Sequence, residues 1–215
     1  MLRAILWDND GILVNSERVF FEANREYFAR HSIELSEQDF FDWFLVQDCG
    51  AWHLLSEKGM STSEIDQCRM DRNQLFSQRL LSDDSLLFPG VSEVLARFHP
   101  LVRMGVVTSS SNEHFTIIHR NHGIAKYFDF VLTAESYAKA KPAPDPYLKA
   151  LEKLALPAND CVAIEDSPRG LAAARSAGIR CIVVRSQLTH HCSFSGAYRV
   201  VDSMHELAGE LDQLL

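Results

Sequence analysis

Arg3-Ala4-Ile5-Leu6-Trp7-Asp8-Asn9-Asp10-Gly11 joins an apolar run to a pair of acids and a glycine. Its apolar run reads as a buried strand, and a helical pattern begins near Ser16. Two carboxylates, Asp8 and Asp10, therefore stand where a strand of an open sheet ends, and Gly11 lets the chain turn there without a Cβ clash. The carboxyl end of such a strand is where α/β proteins place their ligands, so the acid pair points to metal and phosphate chemistry. Solvated turn acids or a calcium loop are the plainer alternatives. A calcium loop would need its glycine two residues later and a glutamate at its twelfth position.

Outward from this stretch the chain has two textures. Residues 16–85 are helical in pattern, with Phe20, Ala23 and Tyr27, then Ile65, Cys68, Leu75 and Phe76, at helix spacing. From Leu87 onward, short apolar runs at 102–107, 130–132, 162–164 and 179–184 alternate with helical patterns, which predicts a parallel sheet with crossover helices. The strand at 3–7 must join that sheet, because one strand cannot bury both of its faces alone. The expected organisation is an α/β core of residues 1–15 and 87–215, with an all-α insertion at 16–86 joined by hinges near 14–16 and 86–90.

With 215 residues, 47% of them hydrophobic, the chain can bury a core of about 150 residues and a smaller one beside it. A net charge of −8 gives no electrostatic footprint for nucleic acid or an anionic membrane. No apolar stretch approaches membrane-spanning length and the N-terminus shows no signal-peptide pattern, so a cytoplasmic protein is expected. Cys49, Cys68, Cys161, Cys181 and Cys192 lack metal-ligand spacing and read as reduced, mostly core thiols.

Later segments place chemistry at the same sheet edge. Thr108-Ser109-Ser110-Ser111-Asn112 follows the 102–107 strand and leads into a helix; its free N–H groups could hold an anion, or the run could be an ordinary N-cap. Lys141-Pro142-Ala143-Pro144-Asp145-Pro146 sets a lysine in a stiff stretch, which limits the entropy lost when its ammonium meets a phosphate. Lys139, Lys149 and Lys153 read as solvated. Glu165-Asp166-Ser167-Pro168 again puts acids just beyond a buried strand, although an acidic N-cap would also explain Asp166.

Together, Asp-x-Asp-Gly, Thr108, Lys141 before Pro142, and Glu165-Asp166 resemble the ordered four-part signature of the haloacid dehalogenase superfamily. The chain is similar to its phosphatase branch with an α-helical cap, the β-phosphoglucomutase-like and phosphoglycolate-phosphatase-like group. The likeness runs the whole length and includes Gly170-Leu-Ala-Ala-Ala-Arg-Ser-Ala-Gly178. It implies a Rossmann-like three-layer core with a mostly parallel sheet, an inserted helical cap, and Mg²⁺-dependent hydrolysis of a small phosphorylated metabolite such as a sugar phosphate. Asp8 would be the nucleophile that forms an aspartyl phosphate, and Asp10 the general acid and base. Asp8, the Asp10 carbonyl and Asp166 would hold Mg²⁺, with Glu165 acting through water. Thr108 and the Ser109 amide would bind phosphoryl oxygens, and Lys141 would balance the charge. Four clustered acids raise one another's pKa and demand such cations.

Asp10 favours phosphoryl transfer, since the dehalogenases that resemble this chain lack a second acid there. Phosphomutases of the branch typically carry a histidine in the first cap helix and a basic cap loop. Here Glu17-Arg18-Val19-Phe20-Phe21 opens that helix, and residues 31–57 contain no lysine or arginine. Hydrolysis is therefore expected over the mutase alternative, and a non-catalytic binding role is weaker because all four parts are kept. The resemblance places Gln47, Asp48, Cys49, Trp52 and His53 over the substrate, while the aromatic residues among 40–52 also suit the core of a small domain. No motif demands more than a monomer or weak dimer.

Overall fold

The computed structural model describes residues 1–47, 49–186 and 188–215, and divides into two compact units, Met1–Asn15 with Leu86–Leu215 and Ser16–Ser85. Leu86 falls in the first unit, one residue earlier than the boundary read from the sequence.

The first unit is built on a six-stranded sheet of β1 (Ala4–Trp7), β2 (Arg103–Val107), β3 (Phe130–Leu132), β4 (Cys161–Glu165), β5 (Arg180–Val184) and β6 (Arg199–Val201), in the order β3-β2-β1-β4-β5-β6. Every pairing is parallel. All four residues of β1 and all five of β4 are buried, as expected of strands covered on both faces. The order reverses at β1, which lies between β2 and β4; this is the switch point where open α/β sheets form a ligand crevice at the strands' carboxyl ends. β6 was not among the expected strands. It is three residues long, begins with arginine and exposes two of its three side chains, so it shows no apolar run.

The second unit is helical: α1 (Ser16–Ala29), α2 (Glu37–Phe40) continuing into a π-helical segment (Phe41–Val46), α3 (Trp52–Glu57) and α4 (Thr62–Ser82). Capping boxes at Ser36/Asp39 and Ser61/Glu64 satisfy the first amides of α2 and α4. Phe20 on α1 meets Phe76 on α4 at 5.0 Å and Phe40 at 5.8 Å, Phe40 stacks on Phe44 at 5.2 Å, and Phe28 meets Trp52 at 5.1 Å. Arg79 pairs with Glu22 and Glu26 along the seam between α1 and α4. The aromatic run of this unit fills its own interior.

In the first unit, α5 (Val91–Phe98), α6 (Asn112–His119), α7 (Asp145–Leu154), α8 (Pro168–Ser176) and α9 (Met204–Asp212) complete the fold. Tyr147, Ala150 and Leu154 of α7 and Leu171, Ala173 and Ala174 of α8 share one core with Ala4, Leu6, Ala163 and Val183. The alternate residues of the strands, including Ile5, Trp7 and Ile164, are buried on the opposite face. The five cysteines are free thiols, with Cys68, Cys161 and Cys181 buried. Among the described residues, no helix is long and apolar enough to cross a membrane.

Candidate active site

Strand register assembles the site. Trp7 is level with Ile164 of β4 and Val106 of β2, so the next residue along, Asp8, stands beside Glu165. The Asp8 amide continues the ladder by donating to the Ile164 carbonyl at 2.9 Å. Asp8, Glu165 and Asp166 are all buried, and each offers a carboxylate oxygen lying within 4.8 Å of the others.

Lys141 is the buried cation that faces them. Its Nζ lies 3.0 Å from Asp8 Oδ1 and 2.7 Å from Glu165 Oε1, and donates to the Val107 carbonyl at 2.8 Å. Those three acceptors match the three N–H bonds of an ammonium. Burial works against the charged form of Lys141, yet Asp8 and Glu165 outweigh it and hold its pKa above the usual lysine value. Asp8 is pushed well above the ordinary carboxylate range, by burial first and then by Glu165 and Asp10, while Lys141 pulls the other way. Tyr147, at the start of α7, donates to Glu165 Oε1 at 2.6 Å; burial and the same acid keep its phenol protonated. Arg169 donates to the Lys141 carbonyl at 2.6 Å and 3.2 Å, tying the lysine's backbone to α8.

The turn after β2 is committed to Asp10. Thr108 donates from Oγ1 to Asp10 Oδ2 at 3.0 Å and accepts from the Ser110 amide at 3.0 Å, and the Ser110 hydroxyl reaches the same Oδ2 at 2.8 Å. Tyr137 donates to the Thr108 carbonyl at 2.7 Å. Thr108 is buried and Ser109 exposed. Of the two readings open for the helix that follows, the start of α6 matches the ordinary N-cap. Ser111 caps α6 by accepting from the His114 amide, and the Asn112 amide donates to both oxygens of Glu135 at 3.1 Å, so a carboxylate of this chain already occupies that helix end.

The donor set fits a hard divalent cation: it is all oxygen, it holds three buried acids against one buried base, and Glu165 Oε2 finds no hydrogen-bond partner among the described residues. Gly11, at φ 78°, leaves the room this needs, since a Cβ there would come 2.6 Å from Asp166 Cγ. Gly170 does the same for Glu165, whose carboxyl group lies where a Cβ would be.

Of the residues expected to touch substrate from the helical unit, Asp48 lies outside the described residues. Gln47 is exposed and accepts from Cys49 Sγ at 3.6 Å, and His53 is exposed with its ring 4.9 Å from that of Trp43. Trp52 is buried against Phe28, with the guanidinium groups of Arg69 and Arg72 over its ring at 5.4 Å and 5.3 Å. Sequence reasoning did not find Tyr147, Tyr137, Ser110 or Arg169. Tyr147 and Tyr137 stand outside the motif segments, and the roles of Ser110 and Arg169 depend on a partner brought close by the fold.

Residues 5–184 match the model of the family described as haloacid dehalogenase-like hydrolase. Protein CbbY of Cereibacter sphaeroides is 32% identical, covering 97% of this chain and 95% of that protein. Fructose-1-phosphate phosphatase YqaB of Escherichia coli is 25% identical, over 84% of this chain and 95% of its own. The crystal structure of a point mutant of CbbY from Rhodobacter sphaeroides in complex with xylulose-(1,5)bisphosphate superposes with a TM-score of 0.81 at 29% identity and covers 96% of both chains. A likeness of that extent, in a fold whose strand ends gather these acids around one lysine, makes the protein a member of the haloacid dehalogenase-like hydrolase family and a phosphoric monoester hydrolase.

Proposed function

We propose that this chain is a Mg²⁺-dependent phosphatase that hydrolyses a small phosphorylated metabolite, a sugar phosphate, through a phosphoryl group carried on Asp8. The observation that carries the reading is the fixed carboxylate of Asp8: Lys141 Nζ at 3.0 Å and the Asn9 amide at 2.8 Å both converge on Oδ1, which sets the carboxylate's rotation beside Asp166 and Glu165. An oriented, dehydrated carboxylate is a competent nucleophile toward phosphorus.

In this scheme Asp8 attacks phosphorus and the sugar oxygen leaves, taking a proton from Asp10; Asp10 then removes a proton from the water that attacks the aspartyl phosphate and releases free phosphate. Thr108 has one hydroxyl proton, here given to Asp10, so donation to a phosphoryl oxygen requires that hydroxyl to turn away from Asp10. Lys141 holds positive charge beside Asp8 throughout. Asp8, the Asp10 carbonyl and Asp166 would hold Mg²⁺, with Glu165 reaching it through water. The ion supplies Lewis-acid charge stabilisation and a template for the phosphoryl group.

Substrate choice is assigned to the helical unit through Gln47, Asp48, Trp52 and His53. The absence of lysine and arginine from residues 31–57 supports hydrolysis over redelivery of phosphate to a bisphosphorylated sugar. The sugar class is supported by the fructose-1-phosphate named for YqaB and the xylulose bisphosphate bound by CbbY. The test is phosphate release from sugar phosphates, phosphoglycolate, nucleotides and p-nitrophenyl phosphate, in Mg²⁺ or chelator, with Asp8→Asn as blank. Metal-dependent release absent from the variant is expected; formation of an isomer without free phosphate would overturn the reading.

A further inference from the structure

A buried polar pair sits behind the nucleophile and takes no part in the chemistry described so far. Asn9, between the two acids, is fully buried, and its side-chain Oδ1 lies 2.6 Å from Nε2 of His119 at the end of α6. Asn9 Nδ2 and His119 Nδ1 are buried without a hydrogen-bond partner among the described residues, so each side chain depends on the other for the one bond it makes. The Asn9 backbone is the hub of the loop. Its carbonyl accepts from the amides of Ile12, Leu13 and Val14 at 3.3, 2.8 and 3.1 Å, and its own amide donates to Asp8 Oδ1 at 2.8 Å. A turn of the Asn9 side chain would be transmitted to the peptide that orients Asp8.

We infer that His119 is a positioning residue for the Asp8 nucleophile, acting through the side chain and then the backbone amide of Asn9. Burial lowers its pKa to about 4, with Asp10 and His122 acting in opposite directions, so the ring is neutral at physiological pH and Nε2–H is the donor to the amide oxygen. α6 in turn is anchored at its first turn by Ser111 and Glu135, and the Phe115 ring packs on the imidazole at 4.3 Å. The bond therefore couples a fixed helix to the loop that carries both acids.

The inference rests on Asp8 being the nucleophile. The test compares His119→Leu, His119→Gln and Asn9→Ala on p-nitrophenyl phosphate with Mg²⁺, with melting temperatures taken in parallel. His119→Leu should lower kcat about ten- to hundredfold with KM within about twofold, because a misplaced nucleophile costs rate and leaves binding intact. His119→Gln keeps a donor and should return kcat to within about threefold of the parent. Should His119→Leu fail to fold, Asn9→Ala removes the same bond from the loop side and should show the same loss. A parental kcat in His119→Leu or Asn9→Ala, or a His119→Gln as slow as His119→Leu, overturns the inference. Asp8→Asn, run alongside, separates the two failures: residual turnover there would defeat the nucleophile reading itself, whereas a dead Asp8→Asn beside a parental His119→Leu defeats only the role of His119.

Discussion

Without a metal ion, removing the charge of Asp8 should stabilise the protein. Asp8 has two carboxylate neighbours whose oxygens lie within 4.8 Å, and at an effective dielectric constant of about 20 each repulsion is roughly 3.5 kcal/mol. One attraction opposes them: Lys141, 3.0 Å away, contributes about 5.5 kcal/mol on the same scale. The repulsions win by about 1–2 kcal/mol, and burial of the charge adds to the same side. Asparagine at position 8 keeps an oxygen for Lys141 and the Asn9 amide and carries no charge. Asp8→Asn should therefore melt about 3–6 °C higher than the parent in chelator, given the usual 2–4 °C per kcal/mol for a chain of this size. Saturating Mg²⁺ should reverse the order, because the parent gains about 2.7 kcal/mol at a hundred times Kd while the variant has lost a ligand. Differential scanning fluorimetry in EDTA and in Mg²⁺ reads both halves. A variant that melts below the parent in EDTA, or the same order in both buffers, would mean that repulsion at Asp8 does not limit the stability of the metal-free protein.

Asp10→Asn should lower kcat by about 10²–10⁴-fold with little change in melting temperature, as expected for loss of a general acid and base; steady-state kinetics checks it. Gly170→Ala, which in an ordinary helix interior stabilises by about 0.5–1 kcal/mol, should here destabilise by about 1–3 kcal/mol in urea unfolding, because its Cβ meets the Glu165 carboxyl group. His119, with a pKa lowered to about 4 from 6.5, binds its proton more tightly in the unfolded chain. The stability it confers is complete above pH 6.5 and is lost as pH falls toward 4, by about 1.4 kcal/mol per pH unit. Unfolding curves of His119→Gln should lack this component between pH 6.5 and 4.5; parallel curves for variant and parent would contradict it.

What could be read from the sequence follows from how local each signal is. β1, β4 and β5 announce themselves because strands buried on both faces are unbroken apolar runs, and the acids at the ends of β1 and β4 mark one sheet edge. β6 has no such run, and the π-helical segment at Phe41–Val46 has a helix's composition, so neither leaves a distinct pattern. Asp8, Asp10, Glu165 and Asp166 are legible as acids after strands, but Lys141 draws attention through its prolines and the family resemblance. That its ammonium divides between Asp8 and Glu165 is a matter of packing. The hydroxyl-rich turn at 108–112 looked open to an anion because Glu135, 23 residues beyond Asn112, cannot be seen to cap it. Asn9 and His119, 110 residues apart, carry no sign of their pairing; His119 simply continues the apolar face of α6 with Phe115.

Rapid-quench trapping reads whether Asp8 itself carries the phosphoryl group, as proposed. The enzyme is mixed with Mg²⁺ and the best substrate of the panel, stopped in acid within a turnover, and its peptides are examined by mass spectrometry with and without borohydride reduction. A phosphoryl adduct on the peptide containing Asp8, converted by borohydride to homoserine at that position and absent from Asp8→Asn, is the predicted result. Full turnover with no adduct on that peptide, or an adduct that persists in Asp8→Asn, would contradict it.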